Sequence, residues 1–185
     1  MLPVGPLMIE HRLIERMVRL MEKESDNIEK TEKVDVDFID TAVDFLRTYA
    51  DKCHHGKEED ILFTQLTRKP MIPEHKRTMD ELLEDHVLAR QTVGALVDAN
   101  QTYRKGDMAA TAEIVKRLKI LTDLYPEHIR KEDKGFFVPC MDYFTKEERD
   151  VMLSDFFEFD RRMIHERYKS VVERSEKEKE SAGKS

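Results

Sequence analysis

The feature that most constrains this chain is a helical apolar stripe in which histidines take the place of core residues. Near the start the stripe reads Leu7, His11, Ile14, Val18, Met21. Those steps of three and four mark one face of an α-helix. Further on it reads Met79, Leu82 or Leu83, His86, Val93. Later still it reads Leu118, Leu121, Tyr125, His128, Glu132, Phe136, so a histidine and a glutamate fill consecutive inward slots. A chain that folds this way must bring polar groups together inside a bundle of helices.

The expected elements follow from that period. Helix 1 is expected over about Leu7 to Lys23, with Ser25 to Lys33 as a polar loop. Asp35 or Asp37 can cap a second helix that runs to about Gln65 and turns Ile39, Ala42, Val43, Leu46, Ala50, Cys53 and Ile61 inward. Pro70 and Pro73 break the chain ahead of a third helix ending near Tyr103. Lys105-Gly106-Asp107 is a turn, and a fourth helix follows from about Met108 to Phe137, with Pro126 expected to kink it or start a new segment. Thr145 with Glu148 forms a capping-box pattern that opens a fifth helix, on which Met152, Leu153, Phe156, Phe157, Ile164, Tyr168 and Val171 are expected inside. The expected fold is all-α: an antiparallel up-down-up-down four-helix bundle with an additional C-terminal helix. The bundle domain is placed at 1–172, and 173–185 is expected to be a charged, disordered tail.

Composition agrees and excludes other classes. Charged residues make up 38% of the chain, Gly and Pro number six each, and Trp is absent, which favours helices over strands. The net charge of −7 with no basic patch argues against nucleic acid as a partner. No apolar run approaches the roughly 20 residues of a membrane helix, and the apolar start, Met1 to Ile9, meets Glu10, His11 and Arg12 at once, unlike a secretion signal. Two cysteines, Cys53 and Cys140, give no disulfide framework. The expected location is the cytoplasm, with no membrane partner.

On the second helix the segment His54-His55-Gly56-Lys57-Glu58-Glu59 holds two overlapping His-x-x-x-Glu pairs. At about 100° per residue, His54 and Glu58 fall on the edge of the apolar face. His55 and Glu59 fall nearly opposite it, beside Thr48 and Lys52, and read as solvated. Residues i and i+4 are neighbours roughly 5–6 Å apart at Cβ, so an imidazole and a carboxylate so spaced can grip one metal or bridge two. The candidate ligands are therefore His11, His54, Glu58, His86, His128 and Glu132. A lone inward histidine is usually a satisfied core residue, but two buried glutamates demand compensation. Four helices each supplying an inward histidine form a joint signal for iron, manganese or zinc rather than calcium.

The remaining polar residues read as follows. Asp133 competes with Glu132, and Tyr125 lies one turn from His128, where it can hydrogen-bond a ligand. His165 can reach the centre only if the fifth helix closes the bundle. His75 lies 11 residues before His86, about 16 Å along a helix and too far to share its metal. Cys53 reads as a small core residue.

The spread His11, His54-x-x-x-Glu58, His86, His128-x-x-x-Glu132 resembles the hemerythrin-like, HHE cation-binding domains. So does the wording around it: Ile9-Glu10-His11-Arg12, His54-His55-Gly56-Lys57-Glu58-Glu59-Asp60-Ile61-Leu62-Phe63 and Tyr125-Pro126-Glu127-His128-Ile129-Arg130-Lys131-Glu132-Asp133. The resemblance covers roughly residues 7 to 137. It implies a non-haem centre of two iron ions, with room for a bridging oxo or hydroxo group. His11, His54, His86 and His128 would be terminal ligands, and Glu58 and Glu132 bridges. It also implies an open position for dioxygen, peroxide or nitric oxide. Oxygen carriers of this kind have a further histidine one turn from the third-helix ligand, where this chain has Leu82 and Arg90. Asp133 has the carriers' spacing and Glu132 that of the HHE relatives. The expected function is small-ligand binding in storage, sensing or oxidative and nitrosative stress response. A peroxidase, catalase-like or iron-repair enzyme is the alternative, and a metal-stabilised structural or regulatory bundle is a second.

Overall fold

A computed structural model describes residues 2–182, and of the side chains beyond Ile164 those of Arg167 and Val172 alone. Five long helical segments account for it, and no strand occurs among the described residues. They are α1 (Val4–Thr31), α2 (36–66), α3 (Pro73–Arg104), α4 (110–140) and α5 (Lys146–Ala182).

Of the expected loop from Ser25 to Lys33, Ser25 to Thr31 is instead the last part of α1, and only Glu32 and Lys33 lie beyond the helix. Ser25 and Ile28 are buried four and seven residues after Met21, so the stripe simply continues. Its start lies earlier than Leu7 for the same reason, because Val4 is also buried. Asp35 is the cap of α2, accepting a hydrogen bond from the Phe38 amide at 3.0 Å. Pro126 lies inside an unbroken α-helical stretch, Ala110–Lys131. Thr145 and Glu148 form the reciprocal capping box: the Thr145 amide donates to Glu148 at 2.9 Å and the Glu148 amide to Thr145 Oγ1 at 3.2 Å. On α5, Met152 and Phe156 are buried as expected, but Phe157 and Ile164 are exposed. Phe159 packs instead, its ring lying where a Cβ on Gly56 would stand. The side chains of His165, Tyr168 and Val171 lie outside those described, and the boundary read at 172 falls within the span of α5.

Three segments depart from α geometry. Within α2, Leu46–His55 and Glu58–Phe63 are π-helical, and within α4 so is Glu132–Phe136. A π turn closes hydrogen bonds from i to i+5, taking one residue more than an α turn. Each residue therefore advances less around the axis, and successive side chains come closer to sharing a face.

Helix α4 packs along α3 and α1, α2 lies against α3 and α1, and α5 touches α2 through its π segments. Apolar residues form two separate clusters. One holds Ile14, Val18, Ala50, Ala89, Leu121 and Tyr125. The other holds Leu7, Leu62, Phe63, Leu82, Phe136 and Phe137. Each ligand candidate lies in sequence between members of the two: His11 between Leu7 and Ile14, His86 between Leu82 and Ala89. The polar layer is thus sealed by hydrocarbon on both sides, which keeps water out and the local dielectric low.

Candidate metal centre

All six expected ligands converge in that layer, and each is at most 3% exposed. The Nε2 atoms of His11 and His54 are 2.9 Å apart, and those of His86 and His128 3.2 Å. Between the two pairs lie the carboxylates. Glu58 turns Oε1 to His54 Nε2 at 3.2 Å and Oε2 to His86 Nε2 at 3.4 Å. Glu132 Oε2 lies 3.1 Å from His11 Nε2 and 3.3 Å from His128 Nε2. Donor atoms of His11, His54, Glu58 and Glu132 all lie within 4.8 Å of one another, as do those of His55, Glu58, His86 and His128.

His55 corrects the sequence reading. It is 2% exposed rather than solvated, and its ring stacks on His86 at 3.8 Å between centroids. The cause is the π segment Leu46–His55. The expected register assumed α geometry from Leu46 onward, and the smaller turn per residue brings both His54 and His55 inside.

The outer nitrogens reveal an order that the sequence reading missed. His54 Nδ1 meets Glu10 at 2.9 Å, His86 Nδ1 meets Glu59 at 2.7 Å, His128 Nδ1 meets Asp85 at 3.3 Å, and His11 Nδ1 meets Asp133 at 2.7 Å. Each acid comes from the preceding helix: α1 supports α2, α2 supports α3, α3 supports α4, and α4 supports α1. Each acid also binds a cation carried by the same helix as the histidine it supports. Glu10 pairs with Lys57, Glu59 with Arg90 at 2.6 Å, Asp85 with Lys131 at 2.7 Å, and Asp133 with Arg12. A carboxylate behind an imidazole fixes the ring and leaves its other nitrogen to face a metal. Glu59, expected on the solvated face, is part of this ring. Asp133 takes the supporting role and Glu132 the inner one. One signal could have found the ring: every acid is the sequence neighbour of an inner ligand, Glu10 beside His11, Glu59 beside Glu58, Asp85 beside His86, Asp133 beside Glu132.

Electrostatics follow from the burial. Burial works against charge on His54, but the nearby Glu58 carboxylate and the hydrogen bond between the ring and Glu10 prevail and push it up to about 10. His128 is likewise pushed up to about 10 against its burial, by Glu132 and Asp85. Burial opposes charge on Glu132 too, yet His128 and His11 hold it well below the usual carboxylate range. His55 goes the other way, driven well below the imidazole range by burial and then by His86, His128 and His54. Protons on the imidazoles thus stand where cations would compensate the two carboxylates.

These residues fit bound metal. Glu58 and Glu132 are fully buried, and none of their four oxygens has a well-formed hydrogen bond among the described residues. Buried carboxylates without donors are costly, and cations between the imidazole pairs would satisfy them. The family description called hemerythrin HHE cation binding domain matches residues 2–138. The chain belongs to the hemerythrin HHE family. No curated protein and no solved structure matches it.

Other residues of this hemerythrin-like chain lie outside the centre. His75 is half-buried and its Nδ1 lies 2.9 Å from the Tyr143 hydroxyl. Tyr125 is buried and stacks over His55 at 6.4 Å rather than bonding a ligand. Cys53 is half-buried and donates to Asp160 at 3.3 Å, and burial pushes its thiol up to about 12. No described helix is long and apolar enough to cross a membrane.

Proposed function

We propose that this chain is a non-haem di-iron protein that takes up dioxygen or a related small ligand, peroxide or nitric oxide, in storage, sensing or stress response. The observation that carries the reading is the way two glutamates serve two imidazole pairs. Glu58 divides its oxygens between His54 and His86, and Glu132 Oε2 lies between His11 and His128. Carboxylates placed so would bridge two cations, with the imidazoles as terminal ligands. Mixed nitrogen and carboxylate oxygen donors suit iron, and bundle cores built from Glu and His are a recurring home for di-iron centres. The packing of α1 on α2, α2 on α3, α3 on α4 and α4 on α1, with short connections, supports an antiparallel up-down-up-down bundle with α5 at its flank.

Iron held there would supply reversible one-electron chemistry toward a small oxidant. The chain's own part is to hold four imidazoles at fixed angles through the acid ring, to keep Glu132 unprotonated, and to exclude water between two apolar clusters. The decisive experiment loads the protein with iron without air, then admits oxygen. About two irons per chain with new near-ultraviolet or visible absorption is expected. Protein that takes up no iron, or iron without any response to oxygen or nitric oxide, overturns the reading. Sustained turnover of peroxide by the loaded protein would move it to the enzymatic alternative.

A further inference from the structure

His55 differs from the other four central imidazoles in having no acid of its own. Its Nδ1 lies 3.5 Å from Asp51 Oδ1 and makes no hydrogen bond. Arg90 Nε holds that same oxygen at 2.7 Å. The ring is nonetheless 2% exposed. It sits in a column of parallel rings: Phe63 on His86 at 12°, His86 on His55 at 13°, His55 on Tyr125 at 15°. A phenylalanine would fill that column without burying an unsatisfied nitrogen. The His55 ring centroid is 5.7 Å from that of His128, and one of its nitrogens lies within 4.8 Å of donor atoms on Glu58, His86 and His128.

We infer that His55 is itself a metal ligand, completing with His86, His128 and Glu58 a three-imidazole position beside the two-imidazole position of His11 and His54 with Glu58 and Glu132. This rests on reading the centre as a metal pair. It makes the two positions unequal in imidazole number, three against two, and it gives the buried ring of His55 a role toward the centre that a phenylalanine could not fill. His55 also lines a cavity of about 90 Å³ with Leu46, Arg47, Ala89, Val93 and Tyr125, so a void left by its removal would have somewhere to open.

The test compares iron-loaded wild type, His55→Phe and His55→Ala by metal content, chelator competition and Mössbauer spectroscopy. His55→Phe keeps a ring in the column but no nitrogen. Both variants should alter one of two iron environments and leave the other in place. One equivalent of metal should be held about tenfold less tightly or worse. Imidazole added to His55→Ala should restore the wild-type spectrum. A folded His55→Phe protein with two irons and both environments unchanged overturns the inference while leaving the di-iron reading intact. A wild type that binds no metal pair removes both. If His55→Phe fails to fold, His55→Ala decides: an unchanged spectrum, or a changed one that imidazole does not restore, also overturns it.

Discussion

The Nδ1 of His11 lies 2.7 Å from a carboxylate oxygen of Asp133, 122 residues further along the chain. That contact closes a ring. Starting from Glu10, each helix lends an acid to the next helix's histidine, and Asp133 returns the last of them to α1.

Neutralising a ring acid should therefore weaken metal binding without touching an inner ligand. Glu10→Gln, Glu59→Gln, Asp85→Asn and Asp133→Asn are each expected to lower metal affinity by roughly 10–100-fold. Competition against a calibrated chelator measures it. Unchanged affinity in all four would reduce the ring to surface ion pairing.

Removing an inner carboxylate should do more. Glu58 faces both imidazole pairs, so Glu58→Ala is expected to lose most bound metal, while Lys76→Ala, on an exposed ion pair with Asp80, should lose none. Elemental analysis of purified, iron-loaded protein separates the two.

The sequence showed some of this and concealed the rest. His11, His86 and His128 could be placed because α1, α3 and α4 keep an α period up to each of them. On α2 the same count picks out His54 and Glu58 but puts His55 and Glu59 on the solvated face, since π turns upset the angular count between Ala50 and Glu58. Ser25 to Lys33 was misread for its polarity, although Ser25 and Ile28 continue the steps set by Met21. The acid ring joins residues on different helices, and no single-helix periodicity can display that.

Metal affinity should rise with pH. His54 and His128, pushed up to about 10, carry protons at neutral pH in the metal-free chain, and ligation requires the neutral ring, so loading releases protons. Uptake should be tighter at about pH 8 than at about pH 6, with acidification of a weakly buffered solution on loading. A pH-independent affinity would contradict it.

The metal-free fold has its own pH window. A histidine whose pKa is raised on folding contributes stability below its unfolded value of 6.5, and loses it as pH climbs through about 10. Glu132, depressed on folding, contributes above 4.5 and loses its share as pH falls through its lowered value. Tm of the metal-free chain should fall toward both extremes. The alkaline fall should vanish once metal replaces the protons.

Phe63 is 2% exposed, stacks on His86 and meets Phe136 edge-on. Phe63→Ala should cost about 3–5 kcal/mol by denaturant unfolding. It should also loosen the His86 side of the centre, seen as faster metal loss.

The π turns carry a consequence for tracing this architecture among other chains. A π turn is a place where one extra amino acid is absorbed into a rod without twisting its two ends apart. A chain one residue shorter between Leu46 and Cys53 could run as plain α-helix there and still deliver the same donors to the same point in space. The linear interval between the second helix's apolar face and its ligands is therefore elastic, and a search keyed to that interval would pass over true relatives that the acids flanking each ligand would still reveal.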